Sequence, residues 1–144
     1  MQKIVLDTNC LLQALPLKSP YHRIWKLVLD GEISLCVNTE ILEEYGEIIS
    51  AKTNAEIGKN VVEAIVHLST TVFQNTYVHF GLIEDDVDDN KFVDCAIAAD
   101  AKCIVSNDSH FKVLDTISWP KVVVVNIKEF CKTLPYNYKD PQTS

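Results

Sequence analysis

Two short segments place an aspartate directly after an apolar run. Asp7-Thr8-Asn9 follows Ile4-Val5-Leu6, and Ser106-Asn107-Asp108 follows Cys103-Ile104-Val105. In an open parallel sheet the chain leaves each strand at its carboxyl edge, where ligand sites are usually built. Asp7 and Asp108 are therefore expected on one working edge. Each also has a plain alternative as the N-cap of the helix that follows it. A third carboxylate, Asp94, sits within Phe92-Val93-Asp94-Cys95-Ala96-Ile97-Ala98-Ala99, a helical segment apolar nearly all round and so expected to be buried. A buried charge without a partner costs several kcal/mol, so Asp94 needs a cation, a basic partner or a proton. The nearest base is Lys91, three positions away, which leaves a metal and a lysine pair both open.

The segment from Thr39 carries four glutamates, and a rotation of about 100° per residue sorts them. Ile41, Leu42, Tyr45, Ile48 and Ile49 define the buried stripe, with Glu44 nearest its edge and Glu40, Glu43 and Glu47 facing solvent. Asp85, Asp86, Asp88 and Asp89 form a charge run before the Asp94 helix. A solvated loop accounts for most of it, with Asp89 as a helix N-cap or at the rim of a site.

If Asp7, Glu44, Asp94 and Asp108 converge, two such charges about 4 Å apart repel by roughly 4 kcal/mol at an effective dielectric near 20. A divalent cation removes that conflict. Carboxylate oxygens without thiolate or imidazole suit Mg²⁺ or Mn²⁺. Such an ion binds phosphate, activates a coordinated water and stabilises the leaving oxygen, which is the chemistry of phosphodiester hydrolysis. It would also let a protein with a formal net charge of −7 bind a polyanion without the broad basic surface that nucleic-acid binders usually use.

The elements that must position these groups alternate. Strands are expected at Lys3–Leu6, Ile33–Val37, Cys103–Val105 and Val122–Val125, with Val72 to Phe80 ambiguous. Helices are expected at Thr8–Ala14, after Ser19-Pro20, from Thr39 to about Ile49, and after a Thr53/Glu56 capping box. Further helices are expected from about Asn90 to Ala101, around Phe111 to Ile117, and from Ile127. Strands with continuous apolar runs that alternate with helices indicate a three-layer α/β/α sandwich around a mainly parallel sheet. With 144 residues, 47% hydrophobic, the expectation is one domain over 1–134 and a poorly ordered tail over 135–144. Five cysteines lie scattered among apolar neighbours, which suits reduced, buried thiols in a cytoplasmic protein. No apolar run approaches the roughly 20 residues of a membrane span, so no membrane partner is expected.

In this order and spacing the motifs closely resemble the PIN-domain family, particularly its bacterial branch of toxin components from toxin–antitoxin systems. The anchors are Val5-Leu6-Asp7-Thr8-Asn9, Ile41-Leu42-Glu43-Glu44-Tyr45, Asp88-Asp89-Asn90-Lys91-Phe92-Val93-Asp94 and Val105-Ser106-Asn107-Asp108. The resemblance implies a metal-dependent endoribonuclease whose Asp7, Glu44, Asp94 and Asp108 hold Mg²⁺ or Mn²⁺ and carry catalysis. Thr8, Asn9 and Ser106 would support them, with Asp89 a further candidate. It also implies RNA as substrate, a homodimer and inhibition by a small antitoxin. Arg23, Lys91 and Lys112 are candidates to touch phosphates, against the plain reading of solvated cations. One departure is Ser106-Asn107-Asp108 where the family commonly has Thr-Gly-Asp. Asparagine tolerates a left-handed backbone better than most residues, so the turn is expected to survive.

Other acidic sheet-edge sites fit less well. No late strand ends in the lysine of a phosphate-accepting receiver domain. Asn9 occupies the second position of the Asp-x-Asp that a haloacid-dehalogenase phosphatase needs, and the four glycines form no Gly-x-Gly-x-x-Gly turn. The competing class is a PIN fold that binds metal or RNA with little or no turnover.

Overall fold

The computed structural model describes residues 2–75, 79–84 and 86–135. Five parallel strands, β1 (Gln2–Leu6), β2 (Ile33–Val37), β3 (Val72–Phe73), β4 (Cys103–Val105) and β5 (Val124–Val125), form one sheet in the order β3-β2-β1-β4-β5. β1 is central: Gln2 pairs with Ile33 on one side and Leu6 with Val105 on the other. The fold is the α/β sandwich that the alternation implies. Strands β1 and β2 are apolar along their length because both their faces are covered. Ile4, Val5, Leu6, Ile33, Leu35, Cys36 and Val37 are all buried, and such fully apolar runs suit a parallel sheet rather than a half-exposed one.

The helices are α1 (Thr8–Ala14), α2 (His22–Leu29), α3 (Thr39–Lys52), α4 (Ala55–His67), α5 (Asn90–Ala99) and α6 (Ile127–Lys132), with 3-10 turns at Val87–Asp89 and Ser109–Thr116. Several helices start beside the residue the sequence pattern favours. α3 is capped by Asn38, whose Oδ1 accepts the Ile41 amide at 2.8 Å, rather than by Thr39. α4 is capped by Asn54, accepting from Ile57 at 2.9 Å, and Thr53 closes α3 instead of opening a capping box. Ser19 does not cap α2, which begins after Tyr21. It bridges the turn instead, accepting the Tyr21 amide and donating to the Gln13 carbonyl. Asparagine caps as well as threonine does, so adjacent candidates compete and the backbone geometry decides.

Helix α3 crosses α4 closely where Gly58 faces Ser50 and the Gly46 carbonyl. A Cβ at Gly58 would lie 2.1 Å from Ser50 Oγ, so only glycine permits that approach. On the other side of α3, the Tyr45 hydroxyl donates to the Leu6 carbonyl at 2.5 Å. That bond fixes α3 against the carboxyl end of β1, one residue before Asp7. All five cysteines are free and buried, and burial pushes Cys10 and Cys95 up to about 12. Among the described residues no helix is long and apolar enough to cross a membrane. The ambiguous stretch contributes only Val72–Phe73 to the sheet. Its residues 76–78, Asp85 of the acidic run and the expected tail beyond Pro135 lie outside the described residues.

Candidate metal centre

The carboxyl edge of the sheet gathers side chains from four parts of the chain. Ladder bonds run on past the strands, from the Asp7 amide to the Val105 carbonyl and from the Ser106 amide to the Val125 carbonyl, each at 3.0 Å. Both residues are therefore pinned. Ser106 Oγ donates to Asp7 Oδ2 at 2.7 Å and accepts the Asp108 amide at 3.0 Å. One hydroxyl thus ties the acid after β1 to the backbone of the acid after β4. Although Asp7 precedes α1, its side chain makes no cap hydrogen bond to that helix. Burial raises its pKa, the bond from Ser106 opposes that, and the charges of Asp108 and Glu44 raise it further. Asp108 does cap the turn that follows, its Oδ1 accepting the His110 amide at 2.9 Å, while it lines an open hollow with Asp7, Asn9 and Asn107.

Asp89 faces the same group of charges. Burial, followed by the charges of Asp86, Asp108 and Asp7, pushes its pKa up to about 7. It stands at the start of α5 but makes no side-chain cap bond. His110 Nδ1 lies 3.6 Å from Asp86, 3.7 Å from Asp89 and 3.3 Å from Asp108. None of these contacts is aligned as a hydrogen bond, and Asp89 Oδ2 and His110 Nδ1 are both buried without a partner. Ligand atoms of Asp86, Asp89 and His110 all lie within 4.8 Å of one another. An unpaired carboxylate oxygen and an unpaired imidazole nitrogen this close are costly unless a proton or cation joins them, and the donor set suits a divalent ion.

Glu44, as its helical position implied, reaches the edge, while Glu40, Glu43 and Glu47 are exposed. One of its oxygens accepts from Thr8 Oγ1 and the other from Lys91 Nζ at 2.8 Å. Lys91 is buried and also donates to Asp88 at 2.8 Å. Burial opposes its charge, but its bonds to Asp88 and Glu44 prevail and raise its pKa, and the lysine in turn lowers that of Asp88.

Asp94 stands apart from Asp7 and Asp108. Its side chain is 3% exposed and lines a separate hollow with Glu40, His79, Asp88 and Lys91. Lys91 is turned away to Glu44 and Asp88, so the lysine pair does not form. Asp94 Oδ1 instead accepts the Phe80 amide at 3.1 Å, and Oδ2 lies 3.3 Å from His79 Nδ1. One turn earlier on α5, the Asn90 side chain accepts the Ile83 amide and donates to the Ile83 carbonyl, at 2.9 and 2.8 Å. Asn90 and Asp94, four apart and so on one helical face, together clasp the 80–83 loop that leads into the acidic run.

The remaining expected residues are dispersed. Asn9 is exposed at the rim of the Asp7 hollow. Lys112 is exposed beside Asp108. Arg23 is engaged in the fold, where its guanidinium donates to the Cys131 carbonyl at 2.6 Å and ties α2 to α6. Asn107 does not adopt the left-handed backbone that a Gly replacement suggests, since Gly31, Gly81 and Asp100 are the positive-φ residues among those described. Its Oδ1 accepts the Ile127 amide at 3.0 Å, linking β4 to α6. Asp86 and His110 are the residues that sequence reasoning missed. The signal was the Asp108-Ser109-His110 spacing, which puts an imidazole two residues past a sheet-edge aspartate.

The sequence matches the PIN domain over residues 3–110. The chain belongs to the PIN-domain family. Solved structures agree at the level of the fold. A chain from VapBC2 of Rickettsia felis, crystallised with a DNA fragment from the promoter, is 17% identical, with a TM-score of 0.57 over 87% of this chain and 98% of that one. A chain of DNA-bound VapBC from Salmonella typhimurium is 18% identical, with a TM-score of 0.54 over 88% and 99%. Among curated proteins, no sequence matches. In this PIN domain Asp7 and Asp108 stand at the sheet edge, and the His110 imidazole lies 3.3 Å from Asp108.

Proposed function

We propose that this PIN domain is a metal-dependent endoribonuclease, acting as the toxin of a toxin–antitoxin pair. The observation that carries the reading is the buried, unpaired pair Asp89 Oδ2 and His110 Nδ1, set among Asp7, Asp86 and Asp108 at the carboxyl edge of the sheet. Asp7, Asp89 and Asp108 would hold Mg²⁺ or Mn²⁺, with Asp86 and His110 completing the set. Glu44 contributes charge nearby rather than a free ligand, since both its oxygens are engaged. When bound, the ion would supply Lewis-acid activation of a phosphodiester and of a water. The protein's own part is placement: Ser106 holds Asp7, the Asp108 cap fixes His110, and Asn90 with Asp94 holds the loop that delivers Asp86 and Asp89. Asp94 thereby serves the site through the loop.

Exposed Asn9 lines the Asp7 hollow and exposed Lys112 a neighbouring one that shares Asn107 and Asp108 with it, and both suit an RNA backbone. The structural neighbours come from VapBC complexes, which supports a small antitoxin as partner, with a homodimer as the assembly. The test is cleavage of a labelled RNA pool by the purified protein in Mn²⁺. Activity that EDTA abolishes and Asp7→Asn or Asp89→Asn eliminates supports the enzyme. RNA binding without turnover in Mn²⁺ would favour the metal- or RNA-binding module.

A further inference from the structure

Lys91 is the residue at this edge whose burial and partners the metal reading leaves unused. Its side chain is only 6% exposed, yet it stays charged because two carboxylates flank it. Nζ donates at 2.8 Å to Glu44 Oε1 and at 2.8 Å to Asp88 Oδ2. The ammonium is locked from both directions. The Asn38 side chain, while capping α3, donates to the Lys91 carbonyl at 3.3 Å, so the end of β2 and the start of α3 hold the α5 backbone in place. The aliphatic stem carries Nζ past the Phe92 ring, 5.4 Å from its centroid. Glu44 is fixed in turn by Thr8 on its other oxygen.

The ammonium stands between two carboxylates, 2.8 Å from one oxygen of each. A compact point charge at hydrogen-bond distance supplies one positive charge against two carboxylates, half that of a divalent ion, without needing a coordination shell. Here Glu44 and Asp88 present one oxygen each to a single cation, the geometry of a bridged ion site with nitrogen at its centre. The ion pairs of Lys91 go to Glu44 and Asp88, and Asp7, Asp89 and Asp108 form none with it.

We propose that Lys91 is a built-in cation that occupies the Glu44–Asp88 position, so that the centre takes one divalent ion and not two. The inference rests on the metal-centre reading above. Lys91 is accordingly a positioning residue that sets the metal stoichiometry of the site.

The test is calorimetric titration of the full chain with Mn²⁺, together with electron paramagnetic resonance of the loaded protein. The wild type should bind one equivalent and give an uncoupled Mn²⁺ spectrum. Lys91→Met, which keeps the stem and removes the charge, should bind a second equivalent at least about tenfold more tightly than any second event in the wild type, with spin coupling between the two ions. Two tight equivalents in the wild type, or one in both proteins, overturns the inference and leaves the metal centre standing. No binding by the wild type overturns the metal centre itself, and the inference with it. If melting curves show that Lys91→Met does not fold, Glu44→Gln carries the test. It should retain the single Mn²⁺ with affinity reduced by less than about tenfold, whereas loss of more than about a hundredfold would make Glu44 a direct ligand and overturn the inference.

Discussion

Ser106 Oγ donates to Asp7 Oδ2 at 2.7 Å across two neighbouring parallel strands, and the same oxygen accepts the Asp108 amide. Removing it strips one acid of its donor and frees the other's backbone. Ser106→Ala should cost about 1–3 kcal/mol in urea unfolding, the range for leaving buried polar groups unsatisfied. It should also weaken Mn²⁺ binding by about 10- to 100-fold, the usual penalty for losing a ligand's supporting hydrogen bond. Calorimetry on the variant checks the second effect independently of the first.

Asp94 and Asp89 sit five residues apart and should behave differently. Asp94→Asn replaces an acceptor of the Phe80 amide with a weaker, neutral one, so it should destabilise the protein by about 1–2 kcal/mol. Its Mn²⁺ affinity should stay within about threefold of the wild type. Hydrogen exchange should show faster exchange at Phe80. Loss of Mn²⁺ binding in a folded Asp94→Asn protein would return Asp94 to the ligand set.

The pKa of Asp89, at about 7, lies above the value near 3.9 expected in an unfolded chain. Between those values the folded protein holds a proton that the unfolded chain has released. The metal-free protein should therefore lose stability as pH rises from about 4 to about 7. Below about 4 the group is protonated in both states, and the full benefit is present. Asp89→Asn should flatten that slope. Because a cation must displace the proton, Mn²⁺ affinity should rise with pH up to about 7 and then level off. Stability measured by urea titration from pH 4 to 8 gives the first, and calorimetry at the same values the second.

His110 brings an imidazole to a centre otherwise made of oxygen, and nitrogen ligands favour Mn²⁺ over Mg²⁺. His110→Ala should lower Mn²⁺ affinity by about tenfold and leave Mg²⁺ affinity nearly unchanged. An equal loss for both ions would put His110 outside the ligand set.

Much of this was legible before the fold. Asp7 and Asp108 follow apolar strands, and the parallel sheet delivers them to one edge. Glu44 could be sorted from Glu40, Glu43 and Glu47 by helical phase, because burial and angle are linked along a single element. What was not legible depends on contacts between elements. Asp94 was read as needing a cation, a basic partner or a proton, with a metal and Lys91 both open, and its partners in the fold are the Phe80 backbone amide and His79; a main-chain donor carries no sequence signal. Lys91 lies three residues from Asp94, yet its stem points it to Glu44, 47 positions away in the chain. Arg23, read as a surface cation, is bound to a carbonyl 108 residues distant. His110 was passed over because its meaning comes from Asp86 and Asp89, which arrive from a different loop.

If Asp7, Asp89 and Asp108, with Asp86 and His110, form a ready cation site, thermal unfolding should register the ion. The wild type and Asp89→Asn would be melted in EDTA and then in Mn²⁺ at about a hundredfold excess over the dissociation constant, where binding to the native state adds about 2.7 kcal/mol. The melting temperature of the wild type should rise, and Asp89→Asn should lose that rise. An equal rise in both proteins, or none in the wild type, would contradict the cation site.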